Sequence, residues 1–224
     1  MLSPKNPINT VIFDFDGTIV DSAEDILSSL RAALSQFHEF AKVSLNKRVI
    51  GPQTADMIRK IVPGISDEQL ILAVKEYRKN YDTGGFINTV PCEGVPELLS
   101  ELSKRKISAF IVTNKPFLPV NKILGKLSLD VFKDKMAPDI IPGRTLDKTE
   151  MISFLMDKWR IKKDDAMMVG DSASDIQAGK NNGIITAAVL NGYGDEASIR
   201  KSRPDRIFRD MNEFASELLK GRIK

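Results

Sequence analysis

Four short stretches of this chain, Asn9–Phe13, Ile107–Val112, Ala166–Val169 and Ile184–Leu190, are near-continuously apolar rather than alternating. A strand buried on one face alternates apolar and polar residues. Unbroken apolar runs point instead to strands covered on both faces, as in a parallel sheet flanked by helices. Between the runs lie segments with apolar residues at helical spacing. In Val95–Lys104, residues Val95, Leu98, Leu99 and Leu102 share one face. Thr149–Trp159 and Ser174–Lys180 read similarly, the last stopping at Asn181-Asn182-Gly183. Strand, helix and strand at this spacing predict right-handed crossovers and a doubly wound parallel sheet of the α/β class.

The stretch from about Asp21 to Phe86 breaks that rhythm. Ser22 and Asp25 form a candidate capping box, and Ile26, Leu27, Leu30, Ala33, Leu34 and Phe37 follow at helical spacing. Two further helices are predicted through Thr54–Val62 and Asp67–Tyr81, with breaks at Gly51-Pro52, Pro63-Gly64 and Gly84-Gly85. The expected organisation is a small helical domain, residues 20–86, inserted into an α/β core of residues 1–19 and 87–224. The crossings near Ile19–Asp21 and Phe86–Pro91 are candidate hinges.

The 224 residues are 42% hydrophobic and 28% charged, enough for a sizeable core. The net charge of +3 comes without a dense Lys/Arg stripe interleaved with aromatics, which argues against a nucleic-acid partner. The basic cluster Arg200-Lys201-Ser202-Arg203 reads as a solvated loop. A single cysteine, Cys92, excludes an internal disulfide and fits a reducing compartment. It reads as an inert thiol, since the one histidine, His38, is far away in sequence. His38, Trp159 and the methionines read as packing or scattered surface residues. The start MLSPKNPINT lacks a basic-then-apolar signal pattern, and no run approaches the ~20 apolar residues of a membrane span. The expected setting is the cytoplasm, as a monomer or homodimer.

Three of the four runs end in polar residues. The first is followed by Asp14 and Asp16, the second by Thr113-Asn114-Lys115, the third by Gly170-Asp171-Ser172-Ala173-Ser174-Asp175. In an open parallel sheet, ligands bind beyond the carboxyl ends of the strands, so these groups are expected to converge on one crevice. Taken singly, each has a structural account: Asp-Gly marks a turn, Asp171 and Ser172 can cap a helix, Thr113-Asn114 can end a strand. Jointly, four converging carboxylates raise one another's pKa and need a counter-charge. With oxygen donors and no Cys/His cluster, the natural counter-ion is Mg²⁺.

At these residues the chain resembles the haloacid-dehalogenase-like hydrolase superfamily, in its phosphoglycolate-phosphatase-like branch. Asp14-Phe15-Asp16-Gly17-Thr18 matches the DxDGT signature, Thr113 the second motif, and Gly170 to Asp175 the GDxxxD form of the fourth. Similarity extends to Gly94-Val95-Pro96-Glu97-Leu98-Leu99 and Asn191-Gly192-Tyr193-Gly194, and is weakest in the insertion, which occupies the place of the family's mobile cap. The third motif expects a lysine before a helix, often as Lys-Pro. Lys148, followed by Thr149, is the best match; Lys115 competes, and Arg144 stands third.

The resemblance implies a Rossmann-like core and a Mg²⁺-dependent phosphatase for a small phosphomonoester such as phosphoglycolate or a sugar phosphate. In it, Asp14 attacks phosphorus, and Asp16 manages the proton while its backbone carbonyl ligates the metal. Thr113 and the Asn114 N–H hold phosphoryl oxygens, Lys148 holds the phosphoryl group and Asp14, and Asp171 and Asp175 hold the metal. An acid at position 16 suits an oxygen leaving group, which needs a proton, and not a halide. The alternatives are a phosphomutase of the same superfamily and a non-catalytic binding or regulatory member. A phosphonatase needs a cap lysine, for which Lys42, Lys47 and Lys60 are the candidates, though solvation accounts for each. Arg48, Arg59 and Lys60 are candidates for a substrate carboxylate, or simply solubilise helix faces.

Overall fold

The computed structural model describes residues 7–37, 43–129 and 131–221. His38 and Lys42 lie outside them. In chain order the strands are β1 (Thr10–Phe13), β2 (Val20–Asp21), β3 (Val90–Pro91), β4 (Ser108–Val112), β5 (Asp134–Met136), β6 (Ala166–Gly170), β7 (Ile185–Val189) and β8 (Arg206–Phe208). The helices are α1 (Ala23–Ser35), α2 (Thr54–Ile61), α3 (Asp67–Thr83), α4 (Val95–Lys104), α5 (Phe117–Leu127), α6 (Lys148–Trp159), α7 (Ala173–Asn181), α8 (Glu196–Lys201) and α9 (Met211–Leu219). The chain divides into two compact units, one comprising the residues up to Asp21 and from Pro91 onward, the other Ser22–Val90.

The first unit is built on a parallel sheet in the order β5-β4-β1-β6-β7-β8. The four apolar runs are its four central strands. Every residue of β1, β6 and β7 is buried, so the only polar side chains in these three strands are those of Thr10 and Thr186. The edge strands β5 and β8 have no such run. An edge faces solvent, so charged residues such as Asp134, Lys135 and Arg206 are tolerated there. Neighbours along β1 serve opposite faces, as the pleat requires. Ile12 packs with Phe110, Met168 and the α6 residues Met151, Ile152 and Leu155. Phe13 meets Phe132 and Phe214 edge-on, with centroids at 6.4 and 6.2 Å. Phe13 stands opposite both Ile111 and Val169, so β1, β4 and β6 leave the sheet at nearly one level.

In the second unit α1 and α2 both pack on α3. Ile26, Leu30, Ala33 and Leu34 of α1 and Leu70, Ala73, Tyr77 and Tyr81 of α3 are buried. Tyr77 stacks on Tyr81 at 5.5 Å, and Tyr81 meets Phe86 edge-on at 5.1 Å. The capping box expected at Ser22 and Asp25 does not form: Ser22 is the N-cap residue of α1, but its side chain makes no cap bond. Asp25 is claimed by a tertiary partner instead. Its buried carboxylate accepts from the Asn88 N–H at 3.1 Å, Asn88 Nδ2 at 3.0 Å and Thr89 Oγ1 at 2.6 Å. Three donors outweigh the single N–H that a cap offers. Asp25→Ala is expected to destabilise the fold by about 2–3 kcal/mol through these stranded donors, read as a lower urea midpoint. An unchanged midpoint would contradict the assignment.

Candidate active site

The site is assembled where the central strands end. Asp14 continues the ladder beyond β1, its N–H donating to the Val169 carbonyl at 2.8 Å. Its carboxylate is buried and accepts from Lys148 Nζ at 2.8 Å. Lys148 is the first residue of α6, and the capping box of Asp147 and Glu150 fixes that start. Helical Cα–Cβ bonds tilt toward the N-terminus, which suits Lys148 to reach out past the end of its helix. The same Nζ donates to Asp175 Oδ1 at 2.5 Å. Asp175 has no exposed surface; its other oxygen accepts from the Ser172 N–H at 3.0 Å and Ser172 Oγ at 2.5 Å. One carboxylate therefore both caps α7 and holds the lysine, and the positive end of the helix favours its charge.

Asp171 follows β6. Its Oδ2 accepts from the Tyr193 N–H at 2.6 Å and the Gly194 N–H at 3.4 Å. Three glycines make room for it, and at Gly192 a Cβ would strike the Asp171 side chain. At Gly17 a Cβ would strike the Asp171 carboxylate, and φ of +84° disfavours any side chain there. At Gly194 a Cβ would strike the Asp171 backbone carbonyl. Asp16 is held separately: its carboxylate pairs with Lys115 Nζ at 3.0 Å. The Lys115 N–H donates to the buried Thr113 hydroxyl at 3.1 Å. Asn114, between them, is half-buried.

Burial dominates the electrostatics. It pushes the Asp14 carboxyl well above the usual carboxylate range, helped by Asp175 and Asp171 and opposed by Lys148. Burial, then Asp175, push Asp171 up to about 7 against the pull of the Tyr193 N–H. On Lys148 burial acts downward, but Asp14 and Asp175 overcome it and hold the ammonium above its ordinary value. Carboxylate oxygens of Asp14, Asp171 and Asp175 all lie within 4.8 Å of one another. Three carboxylates against one ammonium leave two negative charges, the complement of one divalent cation. The donors are all oxygen, which fits a hard ion.

The expected residues thus meet in two sets, Asp14, Asp171, Asp175 and Lys148 in one, Asp16, Thr113 and Lys115 in the other. The Asp16 side chain is not among the three carboxylates that could share an ion. The competing lysines have different partners. Lys148 grips Asp14, Lys115 grips Asp16, and Arg144 is taken up by Glu150 and the ring of Phe154, 5.7 Å away. In the helical unit Arg59 pairs with Asp67 at 2.6 Å, and Lys60 donates to the Arg48 carbonyl at 3.2 Å. The Cys92 thiol is pushed up to about 12 by burial and by Asp21, Asp171 and Asp16, as an inert thiol should be. Sequence reasoning gave no role to Tyr193, whose N–H serves Asp171 and whose hydroxyl donates to Asp21 Oδ1 at 2.7 Å. The signal was present, because Asn191–Gly194 follows the fourth apolar run, at one more strand end.

A doubly wound sheet with buried carboxylates and a lysine at its strand ends defines an α/β protein of Rossmann-like architecture. The family model of haloacid dehalogenase-like hydrolases matches residues 11–189, and the chain belongs to that family. It is 31% identical over 209 residues to the pyrophosphatase PpaX of Halalkalibacterium halodurans, covering 92% of this chain and 95% of that one. To the phosphoglycolate phosphatase of Psychrobacter arcticus it is 27% identical, covering 94% and 96% of the two chains. Among solved structures, a Clostridium difficile protein described as a candidate phosphatase superposes with a TM-score of 0.81 at 30% identity, covering 96% of this chain and all of that one. No helix among the described residues is long and apolar enough to cross a membrane.

Proposed function

We propose that this chain is a phosphatase that hydrolyses a small phosphomonoester through an aspartyl-phosphate on Asp14. The observation that carries the reading is the buried Asp14 carboxylate held by Lys148 at 2.8 Å, with Asp171 and Asp175 beside it. Asp14 attacks phosphorus as the ester P–O bond breaks; Asp16 gives its proton to the leaving oxygen, so an alcohol departs and Asp16 is left ionised. Asp16 then takes a proton from the water that attacks the aspartyl-phosphate, releasing inorganic phosphate and restoring both acids. Lys148 orients Asp14 and steadies phosphoryl charge, while the Thr113 hydroxyl and Asn114 N–H hold phosphoryl oxygens. Asp14, Asp171, Asp175 and the Asp16 backbone carbonyl are the proposed ligands of Mg²⁺. When bound, the ion neutralises part of the charge that keeps a carboxylate and a phosphate apart. Residues 1–19 with 87–224 are the proposed catalytic core, and residues 20–86 the proposed cap.

The test is release of inorganic phosphate from a panel holding phosphoglycolate, pyrophosphate, a nucleoside monophosphate and sugar phosphates, with Mg²⁺ and with EDTA. The expected result is Mg²⁺-dependent release from at least one ester. An isomerised sugar phosphate without free phosphate would make the protein a mutase. Turnover untouched by EDTA would remove the metal, and no turnover with any ester would remove the reading.

A further inference from the structure

The two acids of the Asp14-Phe15-Asp16 turn each have their own lysine. Lys148 is shared between Asp14 and Asp175, while Lys115 stands 3.0 Å from Asp16. The second pair is enclosed, with side-chain exposures of 4% for Lys115 and 13% for Asp16. Lys115 is itself anchored, since its N–H donates to the Thr113 hydroxyl and Thr113 N–H donates to the Met136 carbonyl at 3.1 Å. Asp16, in contrast, sits where the chain leaves β1 and turns through Gly17, with the Gly17 N–H bonded to the Val20 carbonyl at 2.8 Å. A side chain on a turn has rotamer freedom that a proton donor cannot use, because transfer requires one orientation toward the reacting oxygen.

We propose that Lys115 is a positioning residue that acts through Asp16, aiming its carboxyl group at the leaving-group oxygen. The assignment rests on the phosphatase reading above. In the step concerned, the P–O bond to the leaving group breaks, its electron pair stays on oxygen, and the Asp16 proton is transferred to that oxygen. Lys115 neither gives nor takes a proton. Its influence should therefore depend on how far the leaving group needs one. An alkoxide is too basic to depart unprotonated, whereas p-nitrophenolate departs without help.

The experiment compares the wild type, Lys115→Met, Asp16→Asn and the double variant on glycerol phosphate and p-nitrophenyl phosphate, with kcat and KM measured separately. Lys115→Met is expected to lower kcat for the alkyl ester about tenfold more than for the aryl ester, a fraction of the 10²–10⁴ that general acid catalysis supplies. In the Asp16→Asn background, adding Lys115→Met should change neither kcat further, because a residue that works through another has nothing left to do once that one is gone. If Lys115→Met alone does not fold, the comparison of Asp16→Asn with the double variant still decides, since neutralising both partners strands no buried charge. Equal losses on the two esters, or a further tenfold loss in the double variant, overturn the assignment while leaving an active phosphatase. A wild type that releases phosphate from neither ester, nor from any other tried, fails the phosphatase reading and this one with it.

Discussion

Asp14→Asn is expected to lower phosphate release by ~10⁴-fold or more while leaving the fold intact, because it removes the nucleophile and little else. Asparagine has nearly the same shape, and its amide oxygen can still accept from Lys148, which approaches Asp14 at 2.8 Å. The change also takes one buried negative charge from a group that already includes Asp171 and Asp175. The folded protein should therefore keep its far-UV circular dichroism spectrum, and its thermal midpoint should not fall. Residual turnover within tenfold of the wild type would show that another group attacks phosphorus. Lys148→Met makes a contrast: it would leave Asp14 and Asp175 without their shared cation, and losing one partner of a buried pair costs about 3–5 kcal/mol.

The second large effect concerns Asp171, and its sign follows from proton linkage. An ordinary Asp titrates near 3.8, whereas burial and Asp175 raise this one to about 7 in the fold. Between those values the folded protein keeps a proton that the unfolded chain has lost. Stability without metal is then expected to fall as pH rises through that window and to level off above it. A difference of about 3 units corresponds to on the order of 4 kcal/mol for an isolated group. Asp14 contributes in the same direction. A cation binding the ionised carboxylates reverses the trend, since ligation selects the native state and the deprotonated form. Mg²⁺ should raise the thermal midpoint more at pH 8 than at pH 5, and Asp171→Asn should suppress both the pH slope and most of the Mg²⁺ shift. A wild-type slope equal to that of Asp171→Asn would rule out this titration as its source.

Much of the sheet is written in the sequence, but selectively. β4, β1, β6 and β7 announce themselves because both faces of each are covered, so nearly every position must be apolar. β5 and β8 stay silent for the complementary reason, since edge strands carry Asp134, Lys135 and Arg206 without penalty. Capping boxes show the limit of local reasoning. The Ser-x-x-Asp pattern recurs at Ser22 and at Ser172; it closes at Ser172 and fails at Ser22, because Asn88 and Thr89 draw Asp25 away.

The same division runs through the site. By itself the sequence determined that acids follow the ends of buried strands, because an apolar run can end in a carboxylate only where it leaves the core. It also offered two candidate lysines, one just after an apolar run and one just before a helical segment. Which lysine meets which acid was a matter of tertiary structure alone. Lys115 is 99 positions from Asp16 and Lys148 is 134 from Asp14, and no local pattern measures such separations. Only the parallel register, which brings β1, β4 and β6 to one level, and the capped start of α6 hold Lys148 on Asp14 and Lys115 on Asp16.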